Sequence, residues 1–188
     1  EPLALALLTG KLRPNAKETF AYFAQQGVTV KVISGDNPAT VSMIAQQAEI
    51  PNSEKYVDAS TLETPEQLRK AADEYTVFGR VTPQQKKALI EALQKKKHTV
   101  AMTGDGVNDL LAMKQADCAI AMASGAEAAS QLASLVLLDS DFSAMPSVVN
   151  EGRRVINNIQ RASALYLVKN ILSFFLALIT LFAAFPYP

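Results

Sequence analysis

The stretch MTGDGVNDLLAMKQADCAIAM, residues 102–122, runs from an apolar strand through a turn rich in glycine and aspartate into a short helix and a second apolar strand. Between Thr103 and Asp109 it holds two carboxylates, Asp105 and Asp109, and two glycines, Gly104 and Gly106. Like charges this close disfavour joint ionisation unless a cation intervenes. The stretch reads in one of two ways: as a site for a metal and a phosphate, or as an acidic loop. In the second case Asp105 is a turn residue and Asp109 a first-turn acid favoured by the helix dipole. In either case, strand, turn, helix and strand in this order are the building unit of a parallel sheet.

The same layout lies upstream. VTVKVI (28–33) predicts a strand, Ser34-Gly35-Asp36-Asn37 a turn, and Pro38 a first helical position with Asn37 as its N-cap. Further helices are predicted over residues 15–26, ended by Gly27, over 65–73, and from Thr82-Pro83 to about Lys96. Strands are expected at 76–78, 98–102, 118–121 and 135–138, and a helix at 108–115. The alternation predicts an α/β parallel sheet with helices on both faces. No internal repeat or low-complexity tract interrupts it.

Eighteen basic residues balance eighteen acidic ones, which argues against a dedicated polyanion binder, and no nucleic-acid partner is expected. Lys95 to Lys97 is the one charge run and closes a predicted helix. Cys118 is the single cysteine, which rules out an internal disulfide and fits a reducing compartment. EPLALALLTG at the start shows neither a basic leader nor a cleavage pattern, so no secretory signal is expected there.

Toward the other end the composition changes. From Leu165 to Phe185 only Lys169 is charged, and at about 1.5 Å per residue these 21 residues reach roughly 31 Å, the thickness of a bilayer's hydrocarbon core. The run is apolar around its circumference and ends in FPYP, where Tyr187 suits an interface. Arg153, Arg154, Arg161 and Lys169 precede or open it, so the preceding domain is expected on the cytoplasmic side of a cell membrane. The expected division is an α/β domain over 1–142, a stalk helix over 143–164 tied rigidly to it, and a transmembrane helix over 165–185. A buried helix of a soluble protein is the alternative.

Ligands of open parallel sheets gather beyond the carboxyl ends of the strands, where helix N-termini favour phosphate. Ser34-Gly35-Asp36 and Thr103-Gly104-Asp105 both occupy such ends, with glycines that let the backbone approach a ligand. Magnesium fits Asp105 and Asp109 best, because it takes one or two carboxylates and shares a phosphate ligand. The lone His98 and lone Cys118 cannot assemble a zinc site. Asn108 is placed to hydrogen-bond the phosphate or a metal-bound water. Lys86 shares a helix face with Leu89, Ile90 and Leu93, whereas Lys87 aligns with Glu91 and Gln94. Lys86 thus points toward the body of the domain and must find an anion or snorkel past the helix end. Arg80 and Arg13 precede helices and can serve a nucleotide or a surface ion pair.

ISGDN (33–37), GRVTPQQK (79–86) and residues 102–122 resemble, in order and spacing, the phosphorylation domain of P-type (E1-E2) cation-transporting ATPases, a branch of the haloacid dehalogenase-like (Rossmann-like) fold. The likeness covers nearly the whole chain, and the terminal helix resembles the family's fifth transmembrane helix with its stalk. The resemblance implies that Ser34 binds the transferred phosphoryl group, with Gly35 and Asp36 in the nucleotide and phosphate environment. It implies that Lys86 offsets phosphoryl charge, that Arg80 lies near the nucleotide, that Asp105 ligates Mg2+ with support from Asp109, and that Asn108 contacts phosphate. ATP, a transported cation, the lipid bilayer and the other domains of a parent pump are the implied partners.

The chain also departs from the family pattern. The phosphorylated aspartate of the family lies in DKTGT, which does not occur in this sequence, so the chain by itself is expected to form no aspartyl-phosphate. Gly10 stands where many members carry an aspartate before an LRP-like stretch. No carboxylate occurs from Ala162 to Pro188, and Phe174 stands near the place of an acidic ion ligand in animal-type calcium pumps, which argues against a close analogy with them. Asn170 and Ser173 are left as polar contacts or as packing groups. The competing functional readings are a soluble haloacid dehalogenase-like phosphatase fragment and a non-catalytic regulatory domain.

Overall fold

A computed structural model describes residues 12–183 of the chain. Gly10, the FPYP segment with Tyr187, and the ends of the expected first and last domains lie outside the described residues. Residues up to Ala144 form one compact unit and those from Met145 onward a second.

The first unit alternates strands and helices in the expected order. Its elements are α1 (Ala16–Gln25), β1 (Val32–Ile33), α2 (Pro38–Gln47), β2 (Tyr56–Asp58), α3 (Pro65–Glu74), β3 (Val77–Gly79), α4 (Pro83–Lys95), β4 (Ala101–Gly104), α5 (Leu110–Gln115), β5 (Cys118–Met122), α6 (Glu127–Leu132) and β6 (Leu135–Leu137). Local chemistry sets several helix starts. Asn37 accepts from the Ala39 N–H at 3.0 Å, and Thr64 with Gln67 and Thr82 with Gln85 close capping boxes with proline at the first helical position. Gly27 closes the turn after α1 with φ +72°, a conformation that costs glycine nothing.

All strand pairs are parallel, but they form two three-stranded sheets, β1-β3-β2 and β4-β5-β6, instead of one continuous sheet. Each sheet ends on a strand, β1 or β4, that has a partner on one side only among the described residues. This also shortens β1. Only Val32 and Ile33 find partners, in Val77 and Phe78, so residues 28–31 of the six-residue strand expected from VTVKVI have no ladder to join.

Alternation along β3 places helices on both faces. Phe78 packs with Leu68, Ala71 and Ala72 of α3 and Leu89 and Ala92 of α4, while Val77 packs with Val41 and Ala45 of α2. In the second sheet Ala119 and Ala121 pack with Ala112 and Met113 of α5 and Ala129 of α6. Phe78, at 1% exposure, is the largest fully buried side chain, and burying such a ring contributes about 1.5–3 kcal/mol. The short strand β2 and the helix α6 were not anticipated. β2 lies in a polar segment and exists through its register with β3, Tyr56 opposite Val77 and Asp58 opposite Gly79. α6 is a single six-residue segment that sets Ala129 and Leu132 against the core, too short for a periodic signal.

The second unit is one helix, α7 (Met145–Ala183), of 39 residues. At 1.5 Å per residue it is about 58 Å long. Its apolar window has mean hydropathy 2.0 and none of it is buried, so the helix is long and apolar enough to cross a membrane.

Candidate active site

At the carboxyl ends of β1 and β4 lies an open cavity of about 360 Å3. Ser34, Gly35, Lys86, Gly104, Asp105 and Asp109 line it, which brings the two sequence-distant turns and the α4 lysine into one place. Ile33 from β1, Met102 from β4 and Met122 from β5 also line it, so the two sheets both contribute to the cavity.

Lys86 is buried at 9% exposure on the same helix face as Leu89 and Ile90, as its spacing requires. Its Nζ donates to Asp109 Oδ1 at 2.6 Å, and both side chains of the pair are nearly out of solvent, at 11% and 13%. Lys87, one position on, is half exposed and pairs with Glu91 across one helical turn at 3.4 Å. The two lysines therefore differ as periodicity predicted, and the anion that Lys86 finds is Asp109.

Gly104 explains how Asp109 reaches that position. The residue is the last of β4, paired with Ala121, and not part of the turn. A Cβ placed on it would lie 2.6 Å from Asp109 Cβ and 3.0 Å from Asp109 Cγ and Oδ2. The bare glycine is thus needed for the close approach of the protein's own carboxylate. Gly35 and Gly106 have no such neighbour, with nothing nearer than 3.9 Å. A further glycine, missed from sequence, backs the site: a Cβ on Gly125 would lie 2.4 Å from the Asp105 carbonyl oxygen. That oxygen accepts from the Ala126 N–H at 2.7 Å, tying the Asp105 turn to the segment after β5.

Asp105 is exposed, and its carboxylate has no side-chain partner among the described residues. Ser34 Oγ donates to Asp36 Oδ2 and accepts from the Asp36 N–H, both at 3.1 Å, which shapes the turn after β1. Asp36 itself, Asn108 and Arg80 do not line the cavity. Arg80, expected near a nucleotide, reaches Asp58 Oδ2 at 2.9 Å at the ends of β2 and β3. There the Ser60 hydroxyl at 2.6 Å, the Ser60 N–H at 3.0 Å and then the Arg80 guanidinium hold the Asp58 carboxyl below the usual carboxylate range. Arg13 donates to the Ser140 carbonyl and is likewise away from the cavity.

The donor set suits magnesium. Two carboxylates, Asp105 and Asp109, line one cavity, and that of Asp105 has no side-chain partner among the described residues. Magnesium binds in this way, through one or two carboxylates with phosphate and water completing the shell.

A family model described as haloacid dehalogenase-like hydrolase matches residues 1–117. The probable cation-transporting ATPase exp7 of Streptococcus pneumoniae is 50% identical over 98% of this chain and 24% of its own length. The calcium-transporting ATPase CtpE of Mycobacterium bovis is 51% identical over 95% of this chain and 22% of its own length. The chain thus spans less than a quarter of the length of these relatives. A solved structure of the catalytic domain of the CPx-ATPase CopB-B superposes with a TM-score of 0.57 at 23% identity, over 73% of this chain and 45% of that one. That likeness shows a shared fold.

Proposed function

The chain belongs to the haloacid dehalogenase-like hydrolases, and on that premise we propose that it is part of a P-type ATPase coupling ATP hydrolysis to cation transport across a membrane. The observation that carries the reading is the convergence of Ser34, Lys86, Asp105 and Asp109 on one cavity at the strand ends. Sequence similarity to cation-transporting ATPases over 98% of the chain supports the same conclusion.

In this reading the cavity receives a phosphoryl group. The Ser34 hydroxyl and the backbone of the turn at Gly35 hydrogen-bond its oxygens, and the Lys86 ammonium offsets its charge. Asp105 holds Mg2+ with Asp109 beside it, and the bound ion supplies charge neutralisation for the transferred phosphoryl group. Such sites act mainly by positioning and electrostatics, so side chains fixed before the reaction are the protein's contribution. DKTGT is absent from this sequence, so the nucleophilic aspartate comes from elsewhere in a longer parent chain.

The unburied apolar face of α7 supports a membrane span over a soluble core helix. Residues 143–164 then act as stalk and 165–185 as span, with the α/β domain in the cytoplasm behind Arg153, Arg154 and Arg161. Phosphoenzyme labelling of the full-length parent tests the assignment. Replacing Asp105 and Asp109 together by asparagine is expected to abolish acid-stable phosphoenzyme formed from ATP, and normal labelling would refute it. Lys86→Met is expected to impair phosphoryl transfer far more than Lys87→Met.

A further inference from the structure

One face of α7 has the wrong polarity for its medium in both halves of the helix, and the mismatch changes sign where the stalk meets the span. At 3.6 residues per turn, Val148, Gly152, Val155, Ile159 and Ala162 fall within an arc of about 100°. Val155 and Ile159 are 47% and 59% exposed there, while Arg153, Arg154, Asn157 and Arg161 take the other sides. Carried on through residues 165–183, the same arc collects Tyr166, Lys169, Asn170, Ser173 and Thr180, every side chain with a polar atom in that stretch. Leu172, Phe175 and Ile179 lie on the other sides.

An apolar stripe in water and a polar stripe in lipid each call for protein cover. Because the two halves meet opposite media with opposite chemistry, a single covering surface accounts for their common side. Thr180 answers its own demand, since its hydroxyl donates to the Ala177 carbonyl at 2.8 Å. Lys169 does not: it has no hydrogen bond or ion pair among the described residues. No carboxylate occurs from Ala162 to Pro188. The nearest one before it, Glu151, lies about 27 Å away along the helix at 1.5 Å per residue and pairs with Arg154 at 3.4 Å. A second copy packed in parallel on this face would set Lys169 against Lys169, which like charges disfavour. The counter-charge therefore comes from a different helix, and relatives of which this chain spans 24% have ample length to supply one.

We propose that this face of α7 packs against another membrane helix of the parent chain, and that an Asp or Glu of that helix pairs with Lys169 inside the bilayer. This rests on the reading of residues 165–185 as a span. The competing counter-charge is a lipid headgroup phosphate, reached by a side chain that snorkels. A snorkelling lysine needs no particular side of its helix, whereas Lys169 shares its side with Asn170 and Ser173 and with the apolar stripe of the stalk. A charge on a membrane helix that faces other helices is retained by pairing, and the pair fixes the rotation of α7 within its bundle.

The test uses the full-length parent in sealed membrane vesicles with the cytoplasmic face outward. Dicyclohexylcarbodiimide enters the bilayer and activates a carboxyl group there; an adjacent lysine amine then displaces dicyclohexylurea and leaves an amide with no added atoms. On the unaltered chain, peptide mass spectrometry is expected to find Lys169 joined to an Asp or Glu outside residues 1–188, and Lys169→Met is expected to lose that cross-link. A membrane-impermeant acetylating ester is expected to modify Lys169 about tenfold more slowly than the exposed Lys97. In the stalk, a charged maleimide is expected to label Ile159→Cys about tenfold more slowly than Asn157→Cys. Absence of the cross-link, or acetylation of Lys169 as fast as Lys97, overturns the pairing and leaves the lipid headgroup as the counter-charge. Equal labelling of Ile159→Cys and Asn157→Cys overturns the covered face. Labelling of Phe175→Cys by the same maleimide overturns the span reading itself. The cross-link is read on the unaltered chain, so the decision does not depend on a variant that folds.

Discussion

Gly104→Ala puts the geometry of the site to its sharpest test, because the backbone of Gly104 is one that alanine adopts without strain. The added Cβ would stand 2.6 Å from Asp109 Cβ. Carbon atoms at rest prefer about 3.5–4.0 Å, so Asp109 must retreat by roughly 1 Å. The atom in the way is the root of the side chain, so a rotamer change does not relieve the contact. A retreat of that size strains the 2.6 Å contact with Lys86. Overpacking of this kind costs about 1–3 kcal/mol. Breaking a buried ion pair by removing a partner costs about 3–5 kcal/mol, of which a displaced partner forfeits a part. Together these give a loss of roughly 2–4 kcal/mol, a large share of a domain's stability. Urea titration of the full chain in micelles, read by hydrogen exchange of amides in β4 and α5, measures it. Gly35→Ala, where nothing lies within 4 Å, is the control and is expected to change stability by less than about 0.5 kcal/mol. Adding Lys86→Met completes a double-mutant cycle, in which a coupling of about 1 kcal/mol or more between Gly104→Ala and Lys86→Met is expected. A Gly104→Ala chain as stable as the Gly35→Ala control, or strict additivity in the cycle, refutes the account of Gly104 as the seat of Asp109.

Two further outcomes follow from other contacts. Gly125→Ala would press on the Asp105 carbonyl oxygen at 2.4 Å, and is expected to raise amide exchange at Ala126, whose N–H donates to that oxygen at 2.7 Å, while leaving β1 and β3 protected. Asp117 accepts from the Val100 N–H at 2.8 Å, which with a smaller contribution from the Gln94 side chain holds its carboxyl below the usual carboxylate range. A carboxyl depressed in the folded state contributes stability that is complete above its unfolded value near about 4 and is lost as pH falls through the depressed value. Asp117→Asn is therefore expected to flatten the acid limb of the stability curve below about pH 4. An unchanged acid limb in urea titrations across that range would refute the role of this hydrogen bond.

Much of the fold was legible because its signals are local. Proline after a threonine or asparagine cap marked α2 and α4, and the apolar period along α4 set Lys86 inward and Lys87 outward. What depended on distant partners was not legible. β1 is shorter than its apolar run because a strand ends where its partner ends. β2 has no signal of its own in a polar segment and exists by register with β3. The break between the two sheets among the described residues is likewise a matter of strand pairing, which no single segment encodes.

The candidate site divides along the same line. Sequence alone determined which residues have the right chemistry: Ser34, Lys86, Asp105 and Asp109 are named by charge, hydroxyl and turn grammar, and an apolar run of sufficient length is a span candidate wherever it occurs. Tertiary structure alone decided which of them meet. It joined Lys86 to Asp109, left the Asp105 carboxylate without a side-chain partner among the described residues, and turned Arg80 toward Asp58. It also moved the reason for Gly104 from an incoming ligand to the protein's own carboxylate. The physical cause is range: propensity and capping act over a few residues of chain, whereas ion pairing and steric contact act over a few ångströms of space, and only folding makes the second set of neighbours known.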